Sequence, residues 1–278
     1  MTVHPLVHEI ADAYLALVDA AAPGLVEGLY VVGSTALDDF HPARSDIDFV
    51  AVTADPVTAE QLAGLERVHA RLAVRYPRPV FDGPYLTWHE LAGSPAQAPP
   101  GPHVFGGTVR HRVASDRTPV LWHTLARHGV TLCGPRAQEL MIDTDPGELA
   151  GWTVGNLAEY WRPWWRRSSR LASRPGLACL NGWGPVWGVL GVSRLHYTLA
   201  TGRIASKHGA GEYARAVFDE RWHRIVDECL RIREGGRRRS FYPNPFIRRA
   251  DALAFTDMAI TSAELLGTGR LSLGGLGE

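Results

Sequence analysis

Asp46 and Asp48 stand at positions i and i+2 of the run Ser45-Asp46-Ile47-Asp48-Phe49-Val50-Ala51-Val52. Side chains alternate along an extended strand, so the two carboxylates project from one face while Ile47 and Phe49 turn into the core. Two carboxylates sharing a site repel unless a cation neutralises them. Magnesium is the ordinary solution, because it prefers oxygen ligands and keeps phosphate oxygens in its shell. Two such ions about 4 Å apart activate the attacking and leaving oxygens of a phosphoryl transfer. Upstream, Tyr30-Val31-Val32-Gly33-Ser34 reads as a strand ending in a turn, with Ser34 eleven residues before Ser45. A glycine lets backbone approach a phosphate closely. The Ser34 hydroxyl and the amides of a helix starting there would hold its oxygens. Asp-x-Asp alone is usually a solvated strand end and Gly-Ser says less; the pair together, flanked by strand patterns, carries the reading.

A second signal lies far downstream. The chain holds 28 arginines and a single lysine, Lys207. Gly202 reads as the stop of the helix carrying Arg194 and Ser206 as an N-cap, which puts Lys207 in the first turn of the next helix. A cation there opposes the helix dipole at a cost of about 0.3–1 kcal/mol, and an anionic ligand would resolve the conflict. A lysine exposed at random is the plain alternative. Asp82, beside Gly83-Pro84, reads from its neighbours as a turn residue.

These residues need strands that end near one another. Residues 28–33, 47–53 and 79–86 are β-rich, an opening helix covers residues 8–22 and another 57–76. A strand over 105–113, a helix over 119–128 and a strand over 130–132 follow, and helices are expected near 146–172, 184–200, 206–217, 220–234 and 247–266. The fold class is therefore an α/β amino-terminal domain, a mixed sheet flanked by helices over residues 1–140, followed by an all-α helical bundle over 141–278. Arg237-Arg238-Arg239 reads as a solvated turn and the tail after Gly267 as frayed or packed on a neighbour.

Composition sets the outer limits. The 278 residues are 45% hydrophobic and 21% charged, a globular composition. With 29 basic and 29 acidic side chains the net charge is zero, which offers no overall pull on nucleic acid or an anionic membrane. The three cysteines, Cys133, Cys179 and Cys229, have no CxxC spacing. No leader pattern and no run of about eighteen apolar residues occurs, so a cytoplasmic protein is expected. His4 and His8 share i, i+4 spacing but lack a third ligand, and are taken as coincidence.

Gly33-Ser34 followed by Ser45-Asp46-Ile47-Asp48 resembles the nucleotidyltransferase superfamily that includes DNA polymerase beta and the antibiotic adenylyltransferases. Phe81-Asp82-Gly83-Pro84-Tyr85-Leu86, His128-Gly129-Val130-Thr131-Leu132-Cys133-Gly134-Pro135, and Arg194 to Lys207, thirteen positions apart, extend the resemblance to streptomycin/spectinomycin adenylyltransferases over about residues 5–235. The resemblance implies a two-domain, magnesium-dependent adenylyltransferase with two ions, moving AMP from ATP to a hydroxyl of a small molecule with release of pyrophosphate. Asp46 and Asp48 would hold metal; Gly33, Ser34, Ser45, Arg194 and Lys207 would hold nucleotide. Asp82 stands where the family carries a glutamate and would take the acceptor proton or complete the metal site, although its side chain is shorter by about 1.5 Å.

The acceptor expectation departs from the family. Phe105-Gly106-Gly107-Thr108 lacks the family's tryptophan, and Gly184 stands in place of an acidic residue. Trp161, Trp165 and Trp183, with Arg162, Arg166, Arg167 and Arg170, suggest an aromatic and basic acceptor wall suited to a neutral or anionic hydroxyl compound rather than a polycationic aminoglycoside. A helical core stripe is the competing reading of the same spacing. The alternatives to small-molecule transfer are a noncatalytic nucleotide-binding or antitoxin-like protein, and transfer to a protein hydroxyl.

Overall fold

The computed structural model describes residues 3–235 and 239–269. The chain forms two compact units, one from Met1 to Asp145 and the other from Pro146 onward. The first opens with α1 (Pro5–Ala21), in which Val7, Ile10, Tyr14 and Val18 are buried along one stripe. His4, suspected as half of a metal pair, is the N-cap of α1, its Nδ1 accepting from the Leu6 amide at 3.2 Å. Then come β1 (Gly28–Val31), the single turn α2 (Gly33–Ala36), β2 (Ile47–Thr53), α3 (Ala59–Arg75), β3 (Phe81–Thr87), α4 (Trp88–Ala92), β4 (Gly101–Phe105), β5 (Thr108–Val113), α5 (Pro119–His128) and β6 (Val130–Cys133).

The six strands form one sheet in the order β5-β4-β3-β2-β1-β6. Only β2 and β3 run parallel, joined by the α3 crossover; the other neighbours are antiparallel. Alternation divides the strands between two cores. Leu29, Val31, Ile47, Phe49 and Ala51 pack beneath α1 and α3. Tyr30, Val32, Val50 and Val52 pack with Trp122 and Leu125 of α5 on the other face. The expected single strand over 105–113 is instead a hairpin, β4 and β5, with Phe105 opposite Thr108 and Gly106-Gly107 as its two-residue turn. Both turn glycines have positive φ, 57° and 73°, which the twist-compatible hairpin turn requires. Pro102 hides β4 from a strand pattern, and the structure accommodates it where the register shifts between Gly101 and His103.

The second unit comprises α6 (Pro146–Asn156), a π-helical turn (Leu157–Trp161), α7 (Arg162–Ser169), α8 (Arg174–Ala178), α9 (Trp183–Thr201), α10 (Lys207–Val217), α11 (His223–Arg233) and α12 (Pro245–Gly267). The single helix expected over 146–172 is interrupted because Pro163 has no N–H and its ring crowds the carbonyl four residues earlier, which widens the turn just before α7. Val189, Leu190 and Val192 of α9 lie in the core with Phe255, Ala259 and Ile260 of α12. Arg237 and Arg238 of the basic run, and the tail beyond Gly269, lie outside the described residues. Among the described residues no helix is long and apolar enough to cross a membrane.

Candidate active site

Asp48 lies in β2 directly opposite Asp82 in the parallel strand β3, and Ile47 opposite Phe81. Because paired residues of neighbouring strands face the same way, both carboxylates project on the α5 side of the sheet, the face of Val50 and Leu86. Asp46, just before β2, is exposed and meets Arg78 Nη1 at 3.4 Å. Such a surface pair contributes about 0–1 kcal/mol and yields readily to a stronger cation.

Gly33 fixes how closely the next turn approaches this pair. It opens α2 with φ +57°, and a Cβ built on it would lie 1.9 Å from Asp48 Oδ2. Both the backbone angle and the carboxylate therefore exclude any side chain at 33. The Val32 amide donates to the Asp48 carbonyl at 2.9 Å, tying the end of β1 to the aspartate strand. The helix expected after Gly33-Ser34 is only one turn, four residues long, so local N–H groups rather than a macrodipole are what it presents. Ser45 is buried and closes the preceding loop, its Oγ accepting from the His41 amide at 3.1 Å and its own amide donating to the His41 carbonyl at 2.8 Å.

Asp82 is no turn residue: it sits within β3. Its Oδ2 accepts from the Gly106 amide at 2.7 Å and its Oδ1 from the Gly107 amide at 3.0 Å. Burial raises its carboxyl above the ordinary value, the two amides pull the other way, the Asp46 charge adds to the rise and His103 opposes it. The sequence reading missed these amides, although Gly-Gly between two strand patterns is a hairpin signal.

Asp46 and Asp48 suit magnesium. Both offer only oxygen, and Asp48 occupies the space that a Cβ on residue 33 would fill, so the Gly33-Ser34 backbone lies against the carboxylate. Among the described residues no group of three His, Cys, Asp or Glu side chains is placed to hold a metal. A two-carboxylate site completed by phosphate oxygens and water is how magnesium is usually bound.

Arg194 and Lys207 belong to the second unit, and the structure brings their segments together there. Gly202 ends α9 in the left-handed conformation, φ 67°. Arg194 Nε donates to the Ala205 carbonyl at 3.0 Å, holding the connection in place. Ser206 caps α10, accepting from the Gly209 amide at 3.0 Å, and Lys207 is the first helical residue. Its Nζ lies 5.4 Å from the Trp187 ring centroid; the sequence pattern places Trp187 among the wall tryptophans but does not place it beside Lys207. Trp187 in turn stacks on Trp183, with centroids 5.5 Å apart and planes at 11°.

The aromatic residues assigned to the acceptor divide. Trp161 is buried in the helical core against α9, where a Cβ on Gly191 would sit 2.1 Å from its ring. Trp165 is partly buried and donates its indole N–H to the Leu253 carbonyl at 3.0 Å. Only Trp183, 57% exposed, offers an open ring. Arg162 is neutralised by Asp257 and by Glu264, the latter at 2.8 Å. Gly184 faces the Cys179 backbone, with a Cβ 2.6 Å from the Cys179 Cα, so no acidic side chain could stand there. Of the arginines in the expected basic wall, Arg162 is therefore held by carboxylates of the last helix, and the absence of an acidic side chain at position 184 is fixed by the close approach of the Cys179 backbone.

Residues 17–82 match the family model for the nucleotidyltransferase domain. Residues 166–250 match the model for the aminoglycoside adenylyltransferase C-terminal domain. The chain thus resembles a nucleotidyltransferase in its first unit and an aminoglycoside adenylyltransferase in its second. Among solved structures, a spectinomycin adenyltransferase from Enterococcus faecialis, crystallised with ATP and spectinomycin, is similar at 13% identity and a TM-score of 0.66, over 90% of this chain and 99% of that one. At that identity the likeness shows the fold. No curated protein matches the chain in sequence. The adenylyltransferase-like assignment thus rests on two family models whose matched segments contain Gly33, Asp46, Asp48 and Asp82 in one case and Arg194 and Lys207 in the other.

Proposed function

We propose that the protein transfers AMP from ATP to a hydroxyl group of a small molecule and releases pyrophosphate. The observation that carries this is the face shared by Asp48 and Asp82, with Gly33 pressed against the Asp48 carboxylate. In this reading Asp46 and Asp48 hold magnesium, and the Gly33-Ser34 backbone and the Ser34 hydroxyl orient phosphate oxygens. Bound magnesium would neutralise charge on the triphosphate and the leaving pyrophosphate. Asp82 takes the proton from the acceptor hydroxyl as its oxygen bonds to the α-phosphorus and the bond to the β-phosphate oxygen breaks. Arg194 and Lys207 bind the triphosphate, and the Trp187 face steadies the ammonium. Ser45 acts by closing the loop that delivers Asp46.

For the acceptor, Trp183 remains as a candidate stacking surface. Spectinomycin is the first compound to test, because the similar adenyltransferase was crystallised with it. The experiment measures magnesium-dependent pyrophosphate release from ATP across spectinomycin, streptomycin and neutral hydroxylated antibiotics, for the wild type and Asp48→Asn. Release with at least one acceptor, lost in the variant while the protein stays folded, is the expected result. ATP binding without release for any acceptor would favour a noncatalytic nucleotide binder, and label transferred from ATP to protein would identify a protein acceptor.

A further inference from the structure

The Asp82 carboxylate is held from outside its own pair of strands. Its two oxygens accept from consecutive amides of the β4–β5 turn, Gly106 at 2.7 Å and Gly107 at 3.0 Å. The hairpin does not need this contact to close, since Phe105 already pairs with Thr108 across the turn. The strand that leads into the turn is braced as well: His103 stacks on Phe105 with centroids 3.9 Å apart, and His103 Nε2 meets Asp116 Oδ2 at 2.6 Å. Behind the turn, a Cβ on Gly107 would come within 3.0 Å of Ala73 Cβ on α3, whereas Gly106 has open space around it. The turn is thus carried forward on a braced hairpin and ends on the carboxylate.

We propose that the Gly106–Gly107 turn is a positioning element for Asp82, fixing the plane of its carboxylate so that a free lone pair meets the acceptor hydroxyl. The inference rests on the reading of Asp82 as the base. The last torsion of an aspartate is broad and roughly two-fold, so an unrestrained carboxylate samples many planes. Donors on both oxygens select one, while each oxygen keeps capacity for a further proton or hydrogen bond. Gly106 and Gly107 themselves need not touch substrate. The arrangement also makes aspartate, rather than the longer glutamate, the residue that fits between strand and turn.

Four variants test this with ATP dissociation constant and kcat measured separately. Gly106→Val disfavours the left-handed backbone, whereas Gly106→Asn tolerates it and retains the amide. Gly106→Val is expected to lower kcat at least about tenfold with ATP binding unchanged, and Gly106→Asn to recover most of the loss. Asp82→Glu, which leaves the hairpin untouched, is expected to lose kcat comparably despite keeping a carboxylate, and it decides the matter if Gly106→Val does not fold. Wild-type kcat in Asp82→Glu, or a loss at Gly106→Val that Gly106→Asn does not recover, overturns the positioning role. Wild-type kcat in Asp82→Asn overturns the base assignment instead, so the two failures are distinct.

Discussion

Gly33→Ala separates backbone strain from damage to the aspartate site. Residue 33 has φ +57°, and its added Cβ would lie 1.9 Å from Asp48 Oδ2. Holding alanine in the left-handed region costs about 1–2 kcal/mol. For a unit of this size that lowers Tm by about 2–8 °C. Relief of the clash requires the carboxylate to retreat by about 1 Å, a misplacement that costs on the order of 100-fold in rate when it affects a reacting group. Gly24→Ala supplies the control, because Gly24 has φ +72° and nothing within 4 Å of its Cβ position. Both variants should show a similar fall in Tm, but only Gly33→Ala should lose pyrophosphate release and magnesium-dependent ATP binding. Scanning calorimetry and isothermal titration with ATP and magnesium provide the readouts. Equal activity in the two variants would refute the claim that Gly33 is dictated by the carboxylate.

Lys207→Arg retains charge but replaces a compact ammonium with a planar fork, and should raise the KM for ATP about tenfold with little change in Tm; unchanged kinetics would return Lys207 to a surface role. Glu228, fully buried, accepts from Arg231 at 2.8 Å, from Ser240 at 2.7 Å and from the Phe241 amide at 3.1 Å. Burial alone would raise its carboxyl, but these partners bring it down to about 2, so Glu228→Ala, which strands two arginines, should cost about 3–5 kcal/mol in urea unfolding. Because that carboxyl is depressed, its contribution is present above its ordinary range and disappears as pH falls toward about 2. His69, lowered by burial to about 3 and bonded to Tyr85 Oη at 2.8 Å, stays neutral when folded. The unfolded chain takes up that proton below about 6.5, so stability should rise by up to about 1.4 kcal/mol per pH unit between about 3 and 6.5. His69→Phe should flatten this slope, and an unchanged slope would show that another group is responsible.

The aspartate strand was legible because its periodicity is two: Ile47 and Phe49 are fully buried on one face and Asp48 stands on the other, with Asp46 at the strand's start. Gly202 and Ser206 were legible for similarly local reasons, one adopting a conformation that favours glycine and the other an N-cap that requires a short oxygen side chain. The tryptophans were not. The same i, i+3, i+4 pattern serves core and binding wall alike, and only burial distinguishes Trp161 from Trp183.

The sequence by itself determined the strand–turn–strand frame, the i, i+2 spacing of Asp46 and Asp48 and the position of the lone lysine in the first turn of its helix, because these depend on neighbours a few residues apart. Tertiary structure decided the partners. Asp82 lies opposite Asp48 because β2 and β3 pair in parallel register. It is held by residues 106 and 107 because a hairpin folds back to reach it, and Lys207 rests over Trp187 because α10 turns back toward α9. Register, hairpin closure and helix packing are set by the burial of whole faces of the sheet and helices, and no short stretch of sequence encodes them.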